Sequence, residues 1–322
     1  MLKFRNLNIL FASLLVIFLS ACKTKAQQNA PVSKATTAAQ VEDKNSLLWE
    51  ISGKNLKKPS YLYGTIHLIP KNDFFLTDAT KKVFDASQKV TFEINMKEMN
   101  NPMAMISIFT KAMMPNGKTL KDFLNAEDYG LVQRKFDSIG MPLKMLERIK
   151  PMFLSVMLGT DGEKITAEGG GISETSKSTS YEMEFLQMGE KQKKEFGGLE
   201  TVEFQMGIFD SIPYKAQAEM LVNGIKSAAK GGEGEFSKMV QMYKAQDIEA
   251  MSKIMDSDKD TEGLEQYESM LITTRNRNWI PLMAKSMKQK QTFFAVGAGH
   301  LGGKKGVINL LRKEGYTVKP LK

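Results

Sequence analysis

The feature that most constrains this chain is where its β-forming residues lie: near the two ends of the folded portion, with some two hundred helix-patterned positions between them. "SLLWEISG" (46–53) and "SYLYGTIHLIP" (60–70) are rich in Leu, Ile, Tyr and Trp, and the polar link "KNLKK" between them suits a hairpin. Thr77 stands where a helix N-cap is expected, and "KVTFEINM" (89–96) follows as another strand. At the far end come the apolar run "QTFFAVGAG", a helical stretch closed by Gly315, and a last strand "YTVKPL". Apolar strands cannot stay unpaired, so the two ends must meet in one sheet. The sequence therefore predicts an α+β (mixed α/β) fold: a central mixed β-sheet built from the N- and C-terminal segments, with a large helical section inserted between them as a lid or subdomain.

The inserted section, about 97–290, carries helical periods such as "LNAEDYGLVQRKFDSIG", "PLKMLERIKPMFLSVMLG" and "EQYESMLITTRNRNWIPLMAKSMKQ". Two Gly-rich stretches interrupt it, "AEGGGISETSKSTS" and "KGGEGEF". Methionines such as Met96, Met99, Met103 and Met105 mix with Ile, Phe and Leu at helix-like spacing, the pattern of adaptable core packing rather than of a copper-binding methionine box.

The first residues belong to no fold. Lys3 and Arg5 precede "ILFASLLVIFL" (9–19), too short to span a bilayer and of the right size for the apolar part of a secretory signal. "LSAC" at 19–22 resembles the bacterial lipobox, whose cysteine becomes the lipidated first residue of the mature protein. The expected layout is a lipoprotein signal peptide over 1–21, a flexible polar tether over 22–45 starting at a lipidated Cys22, and one domain over 46–322. The expected location is the bacterial cell envelope, facing the periplasm or the surface. Cys22 is the only cysteine, so no intrachain disulfide can form. The formal charge of +9 comes from scattered lysines, and with no nucleic-acid motif present it reads as a solvated surface. Oligomeric state is not legible.

"FFAVGAGHLGGKKG" (293–306) spells GxGxxG at Gly297, Gly299 and Gly302, the spelling of a dinucleotide-binding turn. That reading fails on its own requirements: no acid stands about 20 residues on to hold a ribose, and the closing strand carries none. A phosphate loop fails because Lys305 follows Lys304 where Ser or Thr would be needed. The same stretch also spells GxxH, at Gly297 and His300, and so does "YLYGTIH", at Gly64 and His67. These are the two histidines of the chain, each at the end of a β-rich run. Strand ends form the rim where ligands of α/β sheets collect. Two neutral imidazoles meeting there would suit a divalent ion. Glu93, flanked by Phe92 and Ile94, is the acid that would complete the set, since a carboxylate in an apolar strand needs a cation or a solvated face.

The segments "YLYGTIHLIP", "FEIN", "GLETVEFQMGIFDSIPYKAQAEML", "RNRNWIP" and "FFAVGAGHLGGKKGVINLLRKEGYTV" resemble the TraB/GumN family, which is related to the Tiki metalloproteases and more distantly to the erythromycin-esterase and ChaN-like superfamily. They run in family order across about 46–320. The resemblance implies a site of His67, His300 and Glu93 with Arg275 and Asn276, and a divalent metal, manganese or cobalt, with zinc also compatible. It implies metal-dependent hydrolysis of a peptide or protein. In that scheme His67 and His300 are ligands, Glu93 is a ligand or the general base, and Arg275, oriented by Asn276, stabilises an oxyanion. The sequence departs from the family at Glu182, which stands where an Asp often opens the helix. Glu200 reads as an acid at a helix start, and "RNRNW" reads equally well as a surface ion-pair stripe. Superfamily members are also linked to haem binding, so a lipoprotein capturing haem or a peptide through the same histidines is the competing expectation.

Overall fold

A computed structural model describes residues 45–97, 102–158, 178–229, 235–256, 267 and 269–322. The expected leader (1–21), Cys22, the tether up to residue 44, and most of the two Gly-rich stretches lie outside the described residues.

The sheet assembles from both ends of the chain as expected. Strand β1 (Leu48–Ser52) forms the expected hairpin with β2 (Ser60–Thr65), antiparallel, with Leu48 opposite Tyr63. A two-residue strand β3 (Ile69–Pro70) follows. Helix α1 (Asp78–Ala86) starts on Thr77, whose hydroxyl accepts from the Thr80 amide, and leads into β4 (Lys89–Ile94). The helical section holds α2 (Pro102–Ala112), α3 (Ala126–Ser138), α4 (Leu143–Leu146) and α5 (Pro151–Met157). Strand β5 (Ser178–Thr179), which pairs with β3, precedes α6 (Tyr181–Lys191). Strand β6 (Glu195–Glu200) then leads to α7 (Val202–Asp210), α8 (Tyr214–Ala229), α9 (Glu235–Lys244) and α10 (Ile248–Asp256). A π-helical turn, Ser269–Thr273, opens α11 (Thr274–Gln289). Strand β7 (Thr292–Gly297), α12 (Val307–Lys313) and β8 (Thr317–Leu321) close the chain, and Gly315 after α12 takes the left-handed conformation expected of a helix stop.

The sheet order is β6-β4-β7-β2-β1-β8. Neighbours among β6, β4, β7 and β2 run parallel, while β1 is antiparallel to both β2 and β8. The C-terminal strand β7 thus fills the slot between two N-terminal strands, with Tyr63 opposite Ala295 on one side and Phe92 opposite Ala295 on the other. Strands β2 and β7 are buried along their whole length, as strands covered on both faces must be. One large core joins sheet residues such as Leu62, Phe92 and Phe294 to helix residues such as Phe185, Phe209 and Met283. A second cluster around Phe136, Leu154 and Leu221 holds the helical section together.

Two expectations are corrected. The helical section is not all helix: "EFGGLE" forms β6, a strand that its two glycines disguise, because glycine lacks the β-branched signature. Gly198 is required there, since a Cβ would stand 2.5 Å from the Asn95 backbone nitrogen. Glu200 is therefore the last residue of a strand and lies before the Thr201 N-cap, not in the helix. Nor do all the methionines fill the core: Met96 is buried, but Met103 is 71% exposed.

Candidate functional site

The carboxyl ends of β4, β7 and β2 lie side by side, which brings Glu93, Gly297 and Thr65 to one rim. His67 sits just beyond β2, in the break before β3, and His300 ends the 3₁₀ turn that follows β7. Both imidazoles and Glu93 are buried. The glycines of the two GxxH motifs have separate packing reasons. A Cβ at Gly64 would stand 3.0 Å from both Ala298 Cβ and Leu301 Cδ2, so Gly64 lets the His300 turn press onto β2. At Gly297 a Cβ would stand 3.3 Å from Glu93 Oε1, the oxygen to which the Gly297 amide donates at 2.8 Å. Gly302, third in the nucleotide-like spelling, packs against α10, where a Cβ would fall 2.5 Å from the Ile248 carbonyl oxygen. The three glycines thus serve close packing.

Each histidine is oriented through Nδ1. His67 Nδ1 meets Glu182 Oε1 at 2.8 Å, and Glu182 in turn accepts from Thr65 Oγ1 at 2.6 Å and Ser180 Oγ at 2.8 Å. His300 Nδ1 donates to Asn276 Oδ1 at 2.6 Å, while Asn276 Nδ2 donates to the carbonyls of His300 and Lys305. The Asn276 amide was assigned by this network, which fixes the His300 tautomer with Nε2 unprotonated. Trp279 lies against the His300 ring, their centroids 4.5 Å apart.

Arg275 anchors the other half. Its Nε donates to both Glu200 oxygens at 2.9 and 3.0 Å. Nη2 donates to Glu93 Oε2 at 2.7 Å and Glu200 Oε2 at 2.8 Å, and Nη1 to the Leu271 carbonyl and His300 Nε2, each at 3.1 Å. Glu200 Oε1 also accepts from Trp279 Nε1 at 2.8 Å, and Gln205 Nε2 reaches Glu93 and Glu200 at 3.2 and 3.0 Å. The "RNRNW" segment is therefore not a surface stripe. Arg275, Asn276 and Trp279 share the inward face of α11, while Arg277 and Asn278 point outward. The π-helical turn immediately before sets that face, a device common at functional sites.

These neighbours shape the charge states. Burial works to raise the Glu93 pKa, but the charges of Arg275, His300 and His67 and the Gly297 amide outweigh it and hold Glu93 well below the usual carboxylate range. Burial and the Arg275 charge push His300 down to about 3, so the ring is neutral near pH 7. Burial also disfavours a charged His67, yet the charge and hydrogen bond of Glu182 prevail and leave its pKa raised. Glu182 is lowered, the His67 charge and three hydrogen bonds overcoming burial.

The structure brings together the five residues expected from the sequence but alters two roles. Every N–H of Arg275 is committed within the cluster, so the oxyanion role expected of it finds no free donor; Arg275 instead positions Glu93 and His300. Asn276 orients His300 rather than Arg275. Glu182 and Glu200 also join the cluster, although no local pattern in the sequence assigns them to it. Glu182 carried one signal, its place two residues after Ser180 at a helix start, but its partner 115 positions away was invisible.

The fit to a divalent ion rests on the donors. Among the described residues, no group of three or more His, Cys, Asp or Glu side chains is drawn together as an ion-holding cluster. His300 Nε2 and Glu93 Oε1 stand 3.8 Å apart, and Arg275 Nη1 lies against the same nitrogen. His67 Nε2 is buried without a hydrogen-bond partner among the described residues. Both rings thus offer Nε2 with Nδ1 tied to an outer partner, the arrangement of metal-ligating histidines. The donor chemistry fits, provided that His300 Nε2 exchanges its bond to Arg275 for the ion.

The TraB/PrgY/gumN family model matches residues 47–320, which includes every residue of the cluster. The chain belongs to the TraB/PrgY/gumN family. Similar curated proteins are named metalloproteases: Metalloprotease TIKI2 of Danio rerio is 22% identical over 86% of this chain and 61% of its own length. Metalloprotease TIKI2 of Xenopus tropicalis is 24% identical over 86% of this chain and 60% of its own. Metalloprotease TIKI1 of Homo sapiens is 22% identical over 87% and 63%. This TraB-family chain thus spans less than two thirds of these relatives' length. No solved structure matches it.

Proposed function

We propose that this protein is a metal-dependent hydrolase of peptide or protein substrates, held at a bacterial envelope membrane by a lipid on Cys22. The observation that carries the reading is His67: a buried imidazole whose Nδ1 is clamped by an anionic carboxylate and whose Nε2 has no hydrogen-bond partner among the described residues. A buried nitrogen left that way is costly unless a ligand meets it. The names of the Tiki relatives support the same chemistry.

His67 Nε2, His300 Nε2 and Glu93 would hold the ion. A divalent metal supplies Lewis acidity toward a carbonyl and toward water. The chain's own residues set the stage for it. Glu182 and Asn276 fix the two tautomers, and Trp279 covers one face of His300. Arg275 and the Gly297 amide keep Glu93 anionic, which suits a ligand and makes Glu93 a weak general base. The metal is manganese or cobalt by family resemblance, with zinc compatible with the same donors.

A second reading, capture of haem or a peptide without turnover, is favoured by one observation: the bonds that Arg275 makes leave its guanidinium no N–H free for an oxyanion. The test is metal analysis of protein purified without chelator, paired with cleavage of a peptide library. Hydrolysis predicts bound divalent metal, cleavage abolished by chelator and restored by manganese or cobalt, and loss of both binding and cleavage in His67→Ala and His300→Ala. Bound metal with no cleavage of any peptide selects capture; no affinity for any divalent metal defeats the hydrolase.

A further inference from the structure

Helix α2 carries a feature that the site leaves unexplained. Met103, Ile106 and Phe109, spaced three apart along it, are 71%, 60% and 63% exposed, while Ile108 and Ala112 on the opposite face are buried in the main core. Large apolar side chains ranked along one exposed helix face mark an interaction surface. We infer that this face of α2 docks on a lipid bilayer, seating the domain with the rim of its site toward the membrane. The inference rests on the reading of Cys22 as a lipid anchor.

Three observations favour a bilayer as the occupant. The first is where the chain enters the domain. Ser46 leads into β1, which runs antiparallel to β2 with Leu48 opposite Tyr63, so the chain enters at the carboxyl ends of the parallel strands. The second is that α2 belongs to that same end. It follows the carboxyl end of β4 and packs against α7, which follows the carboxyl end of β6. The third is charge. From Met99 to Lys121 the sequence has Lys111, Lys118 and Lys121 and no acid. Lys118 and Lys121 share their charge with Asp122 and Glu147, and Lys111 sits in the last turn of α2. A helix with an apolar face and a basic end suits a surface with anionic headgroups, where a lysine stem lies along the apolar boundary and its ammonium reaches the phosphates.

The geometry of attachment strengthens the case. Only the 23 residues 23–45 separate Cys22 from the domain, which keeps the expected anchor close to it. A domain tethered that closely meets the surface at high effective concentration, so three side chains of modest individual affinity suffice to orient it. A site rim turned toward the bilayer would act on polypeptide emerging from, or lying along, the membrane.

The test uses the full chain on vesicles of phosphatidylethanolamine and phosphatidylglycerol with brominated acyl chains. Trp49 and Trp279 are buried, so a new indole reports its own surroundings. In the Ile106→Trp chain the emission should shift to the blue and be quenched by the bromines. In the Met145→Trp chain, whose position is 81% exposed on α4, it should not. Met103→Asp with Phe109→Asp should weaken vesicle partitioning of a Cys22→Ser chain by about tenfold. Co-sedimentation of the native chain tests the anchor separately. A chain that pellets with vesicles but leaves the indole at 106 unquenched overturns the docking and spares the anchor. Equal quenching at 106 and 145 overturns it too, as does a shift at 106 that grows with protein concentration without lipid, which would mark self-association.

Discussion

Replacing Glu182 by Gln is the sharpest probe of how the site is held. The change keeps the shape of the side chain and removes only its charge. One amide oxygen can still accept from Thr65 and His67, and Ser180 can turn its hydroxyl to accept from the new amide group. Three charge-assisted hydrogen bonds become neutral ones, a loss of roughly 1–2 kcal/mol of stability. For a domain of this size that corresponds to a fall in Tm of about 2–8 °C. The larger effect is on His67, whose ring loses the carboxylate that makes it a strong donor. Removing such an outer partner lowers metal affinity about 10- to 100-fold. The assay is competition for cobalt between the protein and a chromophoric chelator, run beside thermal melts of the metal-free protein. Glu182→Asp keeps the charge but is one methylene shorter, so its affinity should fall between the two. A Gln variant that binds cobalt as tightly as the parent while melting lower would show that Glu182 serves only folding, and the argument from the clamped imidazole would fail.

Glu200→Gln should lower Tm by more than Glu182→Gln, because it leaves the buried Arg275 with Glu93 as its one carboxylate partner among the described residues. Breaking a buried pair costs about 3–5 kcal/mol, and a melt within a degree of the parent would show that Glu93 alone balances the charge. Gly302→Ala should destabilise by about 1–3 kcal/mol in a denaturant titration through its contact with the Ile248 carbonyl; an unchanged midpoint would return that glycine to another explanation. Stability should also fall with acid in two stages. His300 is neutral when folded, with its pKa lowered from 6.5 to about 3, so its contribution is complete above pH 6.5 and erodes as pH drops toward 3. Glu93 and Glu182, both lowered from 4.5, contribute above that pH and lose their stabilisation below it. His67, with a raised pKa, acts in the opposite sense, being stabilising below 6.5 and losing that effect as pH rises through its folded value. Melts of metal-free protein should therefore decline from pH 6.5 and steepen below 4.5, and His300→Asn should flatten the first stage.

The elements legible in the sequence were those whose signal is local. The hairpin of β1 and β2, the Thr77 cap and the Gly315 stop each depend on a few adjacent residues. The pairing of the histidines was legible because the same GxxH spelling occurs twice at strand ends. Glu93 stood out as a charge in an apolar strand. What escaped was set by contacts over long separations. Glu200 looked like a helix-start acid until Arg275, 75 positions on, claimed its carboxylate. Arg275 looked free until its partners were counted. Strand β6 was hidden because Gly197 and Gly198 are there for clearance, which propensity does not register. Met103 looked like core because composition alone does not say which face of α2 is covered.

The place of β7 between β4 and β2 has a consequence for biogenesis. Until residues 292–297 are made, the two N-terminal strands that frame the slot have nothing between them to hydrogen-bond to, and two flanks of the future sheet stand open. The six-stranded sheet therefore cannot be completed until synthesis has almost ended. Any product cut short before Thr292 would lack both the strand that joins the halves and one of the two imidazoles. Interrupted synthesis then yields fragments without the assembled cluster, and the topology itself delays that cluster until nearly the whole chain has been made.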